Sequence, residues 1–293
     1  MPTFNSKEFL LEHISSIMSF YHPRCIDKEV GGFFQNFRDD GSVYDSKTRH
    51  LVSSTRFIFN YAMAAKEFNN SEYLDVAQHG IDYLRQFHLN SKTGGYAWVL
   101  NDKEIQDPTN YCYGLAFVLL AYSTAYKAGL SEAKNYIDET FNLMEKYFWS
   151  ADDGLYYDEI SADWSRVSEY RGQNANMHSC EALIMAFEAT QEEKYLQRAL
   201  LIARNICQRQ AKLADGLIWE HYDSDWQIDW LFNKDTPDDL FRPWGFQIGH
   251  LTEWAKLLII LERYANEDWL LIRAQELFDI AVNKGWNTNS GGL

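Results

Sequence analysis

The feature of this sequence that most constrains its fold is a short glycine-containing signature that occurs five times along the chain. Successive copies begin 63, 59, 62 and 76 residues apart. A repeating unit of about 60 residues is too short to fold by itself, so each repeat has to bury its apolar face against its neighbours. The copies are Gly31-Gly32-Phe33, Gly94-Gly95-Tyr96, Asp153-Gly154-Leu155, Asp215-Gly216-Leu217 and Gly291-Gly292-Leu293.

Between the signatures, apolar residues recur at three- and four-residue spacing, which predicts pairs of α-helices. The predicted helices span residues 6–22, 51–68, 72–88, 108–128, 131–148, 174–190, 192–211, 247–265 and 268–284. Four predicted helix starts carry a capping side chain: Ser6, Ser71, Asp107 and Ser131. Gly129 is placed to end the fourth helix. The run FFQNF, followed by a turn at 39–41, predicts a small hairpin.

The spacing of these segments predicts an all-α fold in one domain. We find no linker-like stretch or shift in composition, so we expect a single domain over residues 1–293. The second, fourth, sixth and eighth helices are rich in apolar and small residues on all sides, which is typical of helices buried on both faces. This pattern favours a closed toroid of helix pairs over an open solenoid.

Polar residues interrupt these inner helices at matching places. Arg56, Tyr113, His178 and His250 each lie in the first turn or two of their helix, at spacings of 57, 65 and 72 residues. In a toroid, equivalent positions of successive inner helices converge at one end of the central cavity. The sequence therefore predicts that these four side chains surround one pocket.

Two of these helices carry the same pattern, in which a glutamate follows a histidine by three residues. The pairs are His178 with Glu181 and His250 with Glu253. A carboxylate at this spacing lies on the same helix face and can accept a hydrogen bond from one ring nitrogen, which fixes the tautomer and raises the basicity of the other nitrogen. The pattern therefore indicates a general base. An iron or zinc site is a weaker alternative, because no third dense group of ligands accompanies the pairs.

The remaining six histidines lack this context and are interpreted as surface or structural residues. They are His13, His22, His50, His79, His88 and His221. His50 is close to Arg56 in sequence and is a candidate for the border of the pocket.

Composition restricts the class of ligand. The chain has 27 Lys and Arg against 42 Asp and Glu, a formal net charge of −15, which argues against nucleic acid or an anionic membrane as partner. Aromatic residues make up 16% of the chain, and such rings often line pockets for apolar or sugar-like faces, although packing in the core explains most of them. The four cysteines, widely spaced, predict reduced and buried thiols. With no secretory or membrane-spanning pattern recognised, we expect a cytoplasmic protein.

Two segments resemble the N-acylglucosamine 2-epimerase superfamily. One runs from Arg171 through Asn174 to Glu181, and the other reads Arg-Pro-Trp-Gly-Phe-Gln-Ile-Gly-His-Leu-Thr-Glu-Trp over residues 242–254. The second segment is most similar to the branch that interconverts D-mannose and D-fructose. The resemblance covers essentially the whole chain. It implies an (α/α)6 barrel that isomerises or epimerises a monosaccharide.

The resemblance also implies roles for individual residues. His250 is the implied acid/base that moves the C2 proton, Glu253 orients it, and His178 assists ring opening or proton transfer at the sugar oxygens. The residues implied for substrate binding are Arg56 at the developing oxyanion, Tyr113 and Asn174 at hydroxyl groups, and Trp244 on the sugar face. The implied mechanism requires no metal and no nucleotide cofactor.

The resemblance implies twelve helices and a further catalytic histidine on the last inner helix. The sequence predicts about nine helices, so we expect a barrel that lacks its last helices at the C-terminus. Three alternative functions stay open at this point. They are a sugar 2-epimerase, a glycoside hydrolase that uses Asp238, Asp239 or Glu253, and a toroid that binds sugar without turnover. The oligomeric state is left undetermined.

Overall fold

A computed structural model describes residues 5–292 of the chain, and this part is mostly helical with short strands. Its nine α-helices are α1 (Lys7–Tyr21), α2 (Leu51–Phe68), α3 (Ser71–Tyr83), α4 (Cys112–Ala128), α5 (Ala133–Tyr147), α6 (Gln173–Thr190), α7 (Glu193–Arg204), α8 (Ile248–Ala265) and α9 (Asp268–Gly285). Two of them continue as π-helical segments, α3 into Leu84–His88 and α7 into Asn205–Gln210, before a 3-10 turn at Ala211–Ala214. Each predicted helix is therefore present.

Eleven strands of two to four residues accompany these helices in the described part of the chain. They are β1 (Asn36–Phe37), β2 (Val43–Asp45), β3 (Thr48–His50), β4 (Val99–Asn101), β5 (Glu104–Asp107), β6 (Asn110–Tyr111), β7 (Trp149–Ser150), β8 (Leu155–Tyr156), β9 (Glu159–Ile160), β10 (Arg171–Gly172) and β11 (His221–Tyr222). The predicted hairpin is the antiparallel pair β1 and β2. Strands β3, β4 and β5 form one antiparallel sheet, and β7 pairs with β8.

The recurring signature has a local explanation in its glycines. Gly94, Gly154, Gly216 and Gly291 have φ angles of 77°, 64°, 87° and 73°. This left-handed conformation is strained for residues with a Cβ, which explains why glycine recurs there. Gly154 also has no room for a side chain, because a Cβ would lie 2.4 Å from Asn205 Nδ2. The last residue of the fifth copy, Leu293, lies outside the described residues.

Helix boundaries follow the predicted caps in two places and depart from them in two others. Ser6 Oγ accepts a hydrogen bond from the Phe9 N–H, and Gly129, with φ 115°, follows the last residue of α4. The cap of α3 is Asn70 rather than Ser71, because Asn70 Oδ1 accepts from the N–H groups of residues 72 and 73.

The predicted start of the fourth helix at Asp107 was also wrong. Asp107 ends strand β5, and its Oδ1 accepts from the Thr109 N–H. The next residues are extended as β6, so α4 begins at Cys112. A side-chain turn and a strand thus occupy the stretch where the sequence predicted a helical first turn.

The described residues divide into two compact units. Unit 1 comprises residues 1–110 and 121–136, of which 5–110 and 121–136 are described, and unit 2 comprises 111–120 and 137–293, described up to 292. The single-domain organisation stays a prediction.

In unit 1, α2 packs closely against α3. A Cβ at Gly80 would lie 2.5 Å from Phe33 and 2.6 Å from Ile58, so glycine allows this approach. Beside this core lies a buried ion pair in which Arg49 Nη2 donates to Asp27 Oδ2 at 2.7 Å.

In unit 2, α6 packs against α7 and α8, and α8 packs against α9. Eleven residues of α6 are buried, which agrees with its predicted position as an inner helix. Helix α8 buries a stripe that includes Leu251, Trp254 and Leu258, but it exposes Ile259 and Tyr264. Among the described residues, α8 packs against α6, α7 and α9.

The four cysteines, Cys25, Cys112, Cys180 and Cys207, are free and buried, as predicted. Burial raises the pKa of the Cys25 thiol to about 11. No helix among residues 5–292 has the length and apolar character needed to cross a membrane.

The buried ion pair of unit 1 yields a stability prediction. Asp27→Ala is expected to lower the free energy of unfolding by about 3 kcal/mol, because it leaves the Arg49 guanidinium buried without its carboxylate. Asp45→Ala is a matched control, since Asp27 and Asp45 each accept from the N–H groups two and three residues later. Asp45→Ala is expected to lower the free energy of unfolding by about 1 kcal/mol. Urea unfolding followed by tryptophan fluorescence measures the free energy of unfolding of both variants, and equal losses in the two would contradict the prediction.

Candidate active site

The predicted site residues of unit 2 lie near the starts of three helices. Tyr113 is the second residue of α4, His178 is the sixth residue of α6, and His250 is the third residue of α8. Helices α6 and α8 pack against each other, so both histidines belong to one helix pair. The predicted assignment of these residues to the first two turns of their helices agrees with these positions.

His178 is held between a carboxylate and two aromatic rings. Its Nδ1 lies 3.2 Å from Glu181 Oε2, which is the pairing that the spacing of three residues predicts. The ring of Tyr113 meets the imidazole edge to face at 5.0 Å, and that of Phe117 lies 4.9 Å away. The structure therefore brings Tyr113 and His178 together.

Glu181 has a second partner on α8, because the ammonium group of Lys256 donates to its Oε1 at 2.7 Å. Burial raises the pKa of Glu181. The hydrogen bonds and charges of His178 and Lys256 lower that pKa by a larger amount. The net pKa is about 2. Glu181 is therefore ionised at neutral pH, with its charge shared between two partners.

His250 pairs with a carboxylate that the sequence analysis did not predict. Its Nδ1 lies 3.0 Å from each carboxylate oxygen of Glu220, the residue before β11. The sequence predicted Glu253 for this contact, whereas the structure places Glu220 there, and an orienting role of Glu253 stays a prediction. A buried carboxylate from another segment occupies the position beside Nδ1, whereas Glu253 is half-buried and acts on His250 through its charge.

The balance of burial and charge makes His250 more basic than an ordinary histidine. Burial lowers the pKa of His250, but the hydrogen bond and charge of Glu220, together with the charge of Glu253, outweigh it. The net pKa is raised above its usual value of 6.5. This imidazole therefore carries a proton more readily near neutral pH than its burial by itself would allow.

Gln173, the first residue of α6, connects this pair to the core. Its Oε1 accepts from the indole N–H of the buried Trp254 at 2.7 Å. Its Nε2 lies 2.9 and 3.1 Å from the two oxygens of Glu220 and 3.0 Å from His250 Nδ1. The sequence analysis missed both Gln173 and Glu220. The available signals were the place of Gln173 inside the histidine motif and the place of Glu220 just after the fourth glycine signature.

Asn174 lies four residues before His178, on the same face of α6. Its Oδ1 is buried and has no hydrogen-bond partner in the described part of the chain. A buried carbonyl oxygen without a partner costs free energy, and a hydroxyl group of a bound ligand would supply the missing donor. This arrangement suits the predicted contact of Asn174 with a substrate hydroxyl.

Trp244 lies in a cluster of aromatic residues. Its indole N–H donates to the Trp230 carbonyl at 2.9 Å, and its ring meets the buried Trp219 edge to face at 5.9 Å. The side chain is 37% exposed. It is thus fixed by its neighbours, and its contact with a sugar face stays a prediction.

Arg56 belongs to unit 1. It lies on α2, its side chain is exposed, and it lines a largely apolar cavity with residues of α1, including Ile14, Ile17 and Tyr21. The structure of unit 1 by itself does not bring Arg56 to the other predicted residues, and its role stays a prediction.

The sequence left a metal site as a weaker alternative. No group of three or more potential ligands is found across residues 5–292.

The chain has named relatives among sugar-converting enzymes. It is 60% identical over 293 residues to a D-mannose isomerase of Marinomonas mediterranea, which covers 100% of this chain and 74% of the relative. It is 32% identical over 263 residues to a D-mannose isomerase of Pseudomonas cannabina, covering 87% of this chain and 63% of the relative. A cellobiose 2-epimerase of Bacteroides fragilis is 23% identical over 167 residues, which are 56% of this chain and 43% of that protein.

Solved structures agree with these relationships. A crystal structure of D-mannose isomerase superposes with a TM-score of 0.97 at 60% identity and covers all of this chain and 75% of its own. The cellobiose 2-epimerase of Bacillus thermoamylovorans superposes with a TM-score of 0.81 at 16% identity, covering 96% of this chain and 74% of its own.

A family 76 glycoside hydrolase superposes with a TM-score of 0.69 at 12% identity, a likeness of fold only, over 94% of this chain and 57% of its own. The predicted all-α fold of helix pairs, shared with (α/α)6 barrel enzymes, is thereby confirmed. The family model described as N-acylglucosamine 2-epimerase matches residues 32–293. The chain therefore belongs to the N-acylglucosamine 2-epimerase family of sugar isomerase and epimerase enzymes.

Proposed function

We propose that the protein is a cofactor-independent isomerase that interconverts D-mannose and D-fructose. The observation that carries this proposal is the 60% identity, over the whole chain, to a protein named D-mannose isomerase. The second named D-mannose isomerase, at 32% identity, supports the same substrate class. The histidine and carboxylate pairs of unit 2 supply acid/base groups for this reaction.

In the proposed reaction, His250 removes the proton from C2 of open-chain mannose. The electron pair of the C2–H bond forms a C1–C2 double bond, and the carbonyl electrons move to O1 to give an enediolate. The proton then returns to C1, and the proton of O2 is transferred to O1, which leaves the ketone of fructose at C2. A histidine suits both steps, because it accepts and returns a proton near neutral pH.

The other predicted residues complete the proposal. His178, paired with Glu181, assists ring opening or moves protons at the sugar oxygens. Asn174 and Tyr113 bind hydroxyl groups, Trp244 packs on a sugar face, and Arg56 stabilises the oxyanion of the enediolate. Hydrogen-bond donors of this kind contribute about 3 kcal/mol to catalysis.

Proton transfer by histidine requires neither a metal nor a nucleotide, so the proposal includes no cofactor. The proposed substrate is a monosaccharide, which agrees with the acidic composition that argues against nucleic acid and membrane partners. We also propose a cytoplasmic location, which is supported by four free and buried cysteines.

A mutation tests the role of His250 in the complete product of the gene. His250→Ala is expected to abolish conversion of mannose to fructose, because it removes the imidazole that is proposed to take the C2 proton. His250→Asn is also expected to abolish the conversion. Its asparagine side chain can still donate a hydrogen bond to Glu220, so we expect the fold to be retained. The matched control is His13→Ala, an exposed histidine on α1, which keeps full activity. Activity retained in both His250 variants would contradict the proposal.

Deuterium labelling separates isomerisation from epimerisation. With mannose in deuterium oxide, an isomerase yields fructose with deuterium at C1, because the exchanged proton returns to that carbon. A 2-epimerase instead yields glucose with deuterium at C2. Proton and carbon NMR of the products distinguishes the two, and label at C2 of glucose as the main product would favour the epimerase.

A further inference from the structure

We propose that Glu220 is the positioning residue of His250: it fixes the Nδ1–H tautomer, so that Nε2 is the ring nitrogen that exchanges a proton with the substrate. Gln173 and Trp254 hold Glu220 in place for this purpose. The inference rests on the proposed function for its catalytic consequence, but the contact between Glu220 and His250 does not depend on the identity of the sugar.

The contact between Glu220 and His250 determines which ring nitrogen carries the hydrogen. Glu220 is 4% exposed, and both of its oxygens lie 3.0 Å from His250 Nδ1. An ionised carboxylate only accepts hydrogen bonds, so a hydrogen on Nδ1 satisfies both of these contacts. The Gln173 amide nitrogen, 3.0 Å from Nδ1, then directs its own hydrogens to the Glu220 oxygens. The opposite tautomer would place a nitrogen lone pair against two carboxylate oxygens. Nε2 is therefore the nitrogen left to accept a proton.

The orientation of Gln173 is set by Trp254. An indole N–H is only a donor, so the Trp254 N–H at 2.7 Å identifies the amide atom that it meets as the oxygen. The amide nitrogen consequently faces Glu220 and donates to it. Trp254 is completely buried, which anchors the amide in the core of unit 2. The carboxylate is thus held by a donor that does not itself titrate.

The two pairs of histidine and carboxylate differ in the partners of the carboxylate. Glu181 divides its charge between His178 and Lys256. Within residues 5–292, the cation paired with Glu220 is His250. A buried carboxylate needs a compensating charge, and for Glu220 the protonated imidazole supplies it. The arrangement therefore stabilises the protonated form of His250.

The titratable groups that act on His250 are Glu220, beside β11, and Glu253 on its own helix. The residue of α6 that contacts His250 is Gln173, whose side-chain amide is neutral. Glu220 acts on His250 through both its charge and a hydrogen bond, whereas Glu253 acts through its charge. Replacing Glu220 is therefore expected to lower the pKa of His250 more than replacing Glu253.

The kinetic test uses Glu220→Gln in the complete gene product, with Glu253→Gln as the comparison. Glu220→Gln keeps the size and one acceptor oxygen but removes the charge. We expect kcat for mannose to fall about 100-fold with KM changed less than about threefold, because proton transfer weakens while sugar binding is retained. The pKa of the acidic limb of the pH profile is expected to fall, and to fall less in Glu253→Gln. A rise in KM with kcat unchanged would overturn the proposal.

Trp254→Phe gives a second route to the same contact if Glu220→Gln folds poorly. It keeps an aromatic ring in the core and removes the donor that orients Gln173. We expect a several-fold loss of kcat at unchanged KM, together with a smaller fall in the pKa of His250. Wild-type kcat in this variant would overturn the role given to Gln173 and Trp254.

A proton NMR titration of the histidine ring signals supplies a readout that needs no substrate. The His250 signal is identified by its loss in His250→Asn. We expect its pKa to lie above 6.5 in the wild type and to fall in Glu220→Gln, because burial then acts without the opposing charge. An unchanged pKa would overturn the proposal even if activity were lost. The expected shift in a protein that does not convert mannose would refute the proposed function and leave the positioning role of Glu220 supported.

Discussion

The candidate site of unit 2 depends on the burial of one charge, the carboxylate of Glu220. An ionised group that is almost fully withdrawn from water is tolerated only with hydrogen-bond donors and a compensating cation. The start of α6 supplies one donor through Gln173, and the start of α8 supplies a second through His250, whose protonated form also compensates the negative charge. The relative placement of these two helix starts is therefore coupled to the satisfaction of a single side chain.

The same physical requirement explains why two similar sequence motifs lead to two different pairs. Both histidines are followed by a glutamate three residues later, and for His178 the contact with Glu181 forms as the helix geometry predicts. For His250, another carboxylate already occupies the position beside Nδ1, so Glu253 is left to act through its charge. Spacing within a helix determines which contacts are possible. The neighbouring segments determine which of them forms.

Much of the secondary structure was predictable because helix formation and capping are local. The limits of α2, predicted as 51–68, coincide with Leu51–Phe68, and those of α6 and α8 differ from prediction by one residue at their starts. The errors arose where two local structures compete for one stretch. At Asp107 a side-chain turn and a following strand replaced the predicted helical turn, and at α3 Asn70 took the capping position expected for Ser71.

The sequence by itself determined the repeat of helix pairs, the recurring glycine signature and the placement of His178 and His250 near the starts of their helices. These features follow from periodicity and backbone sterics, which act over a few residues. Only the tertiary structure decided that Glu220 meets His250 and that Gln173 and Trp254 hold this carboxylate. These partners are 30 to 81 residues apart in the chain, and no local rule brings them together. Their meeting follows from the packing of α8 on α6, which buries a charge that these residues then have to neutralise.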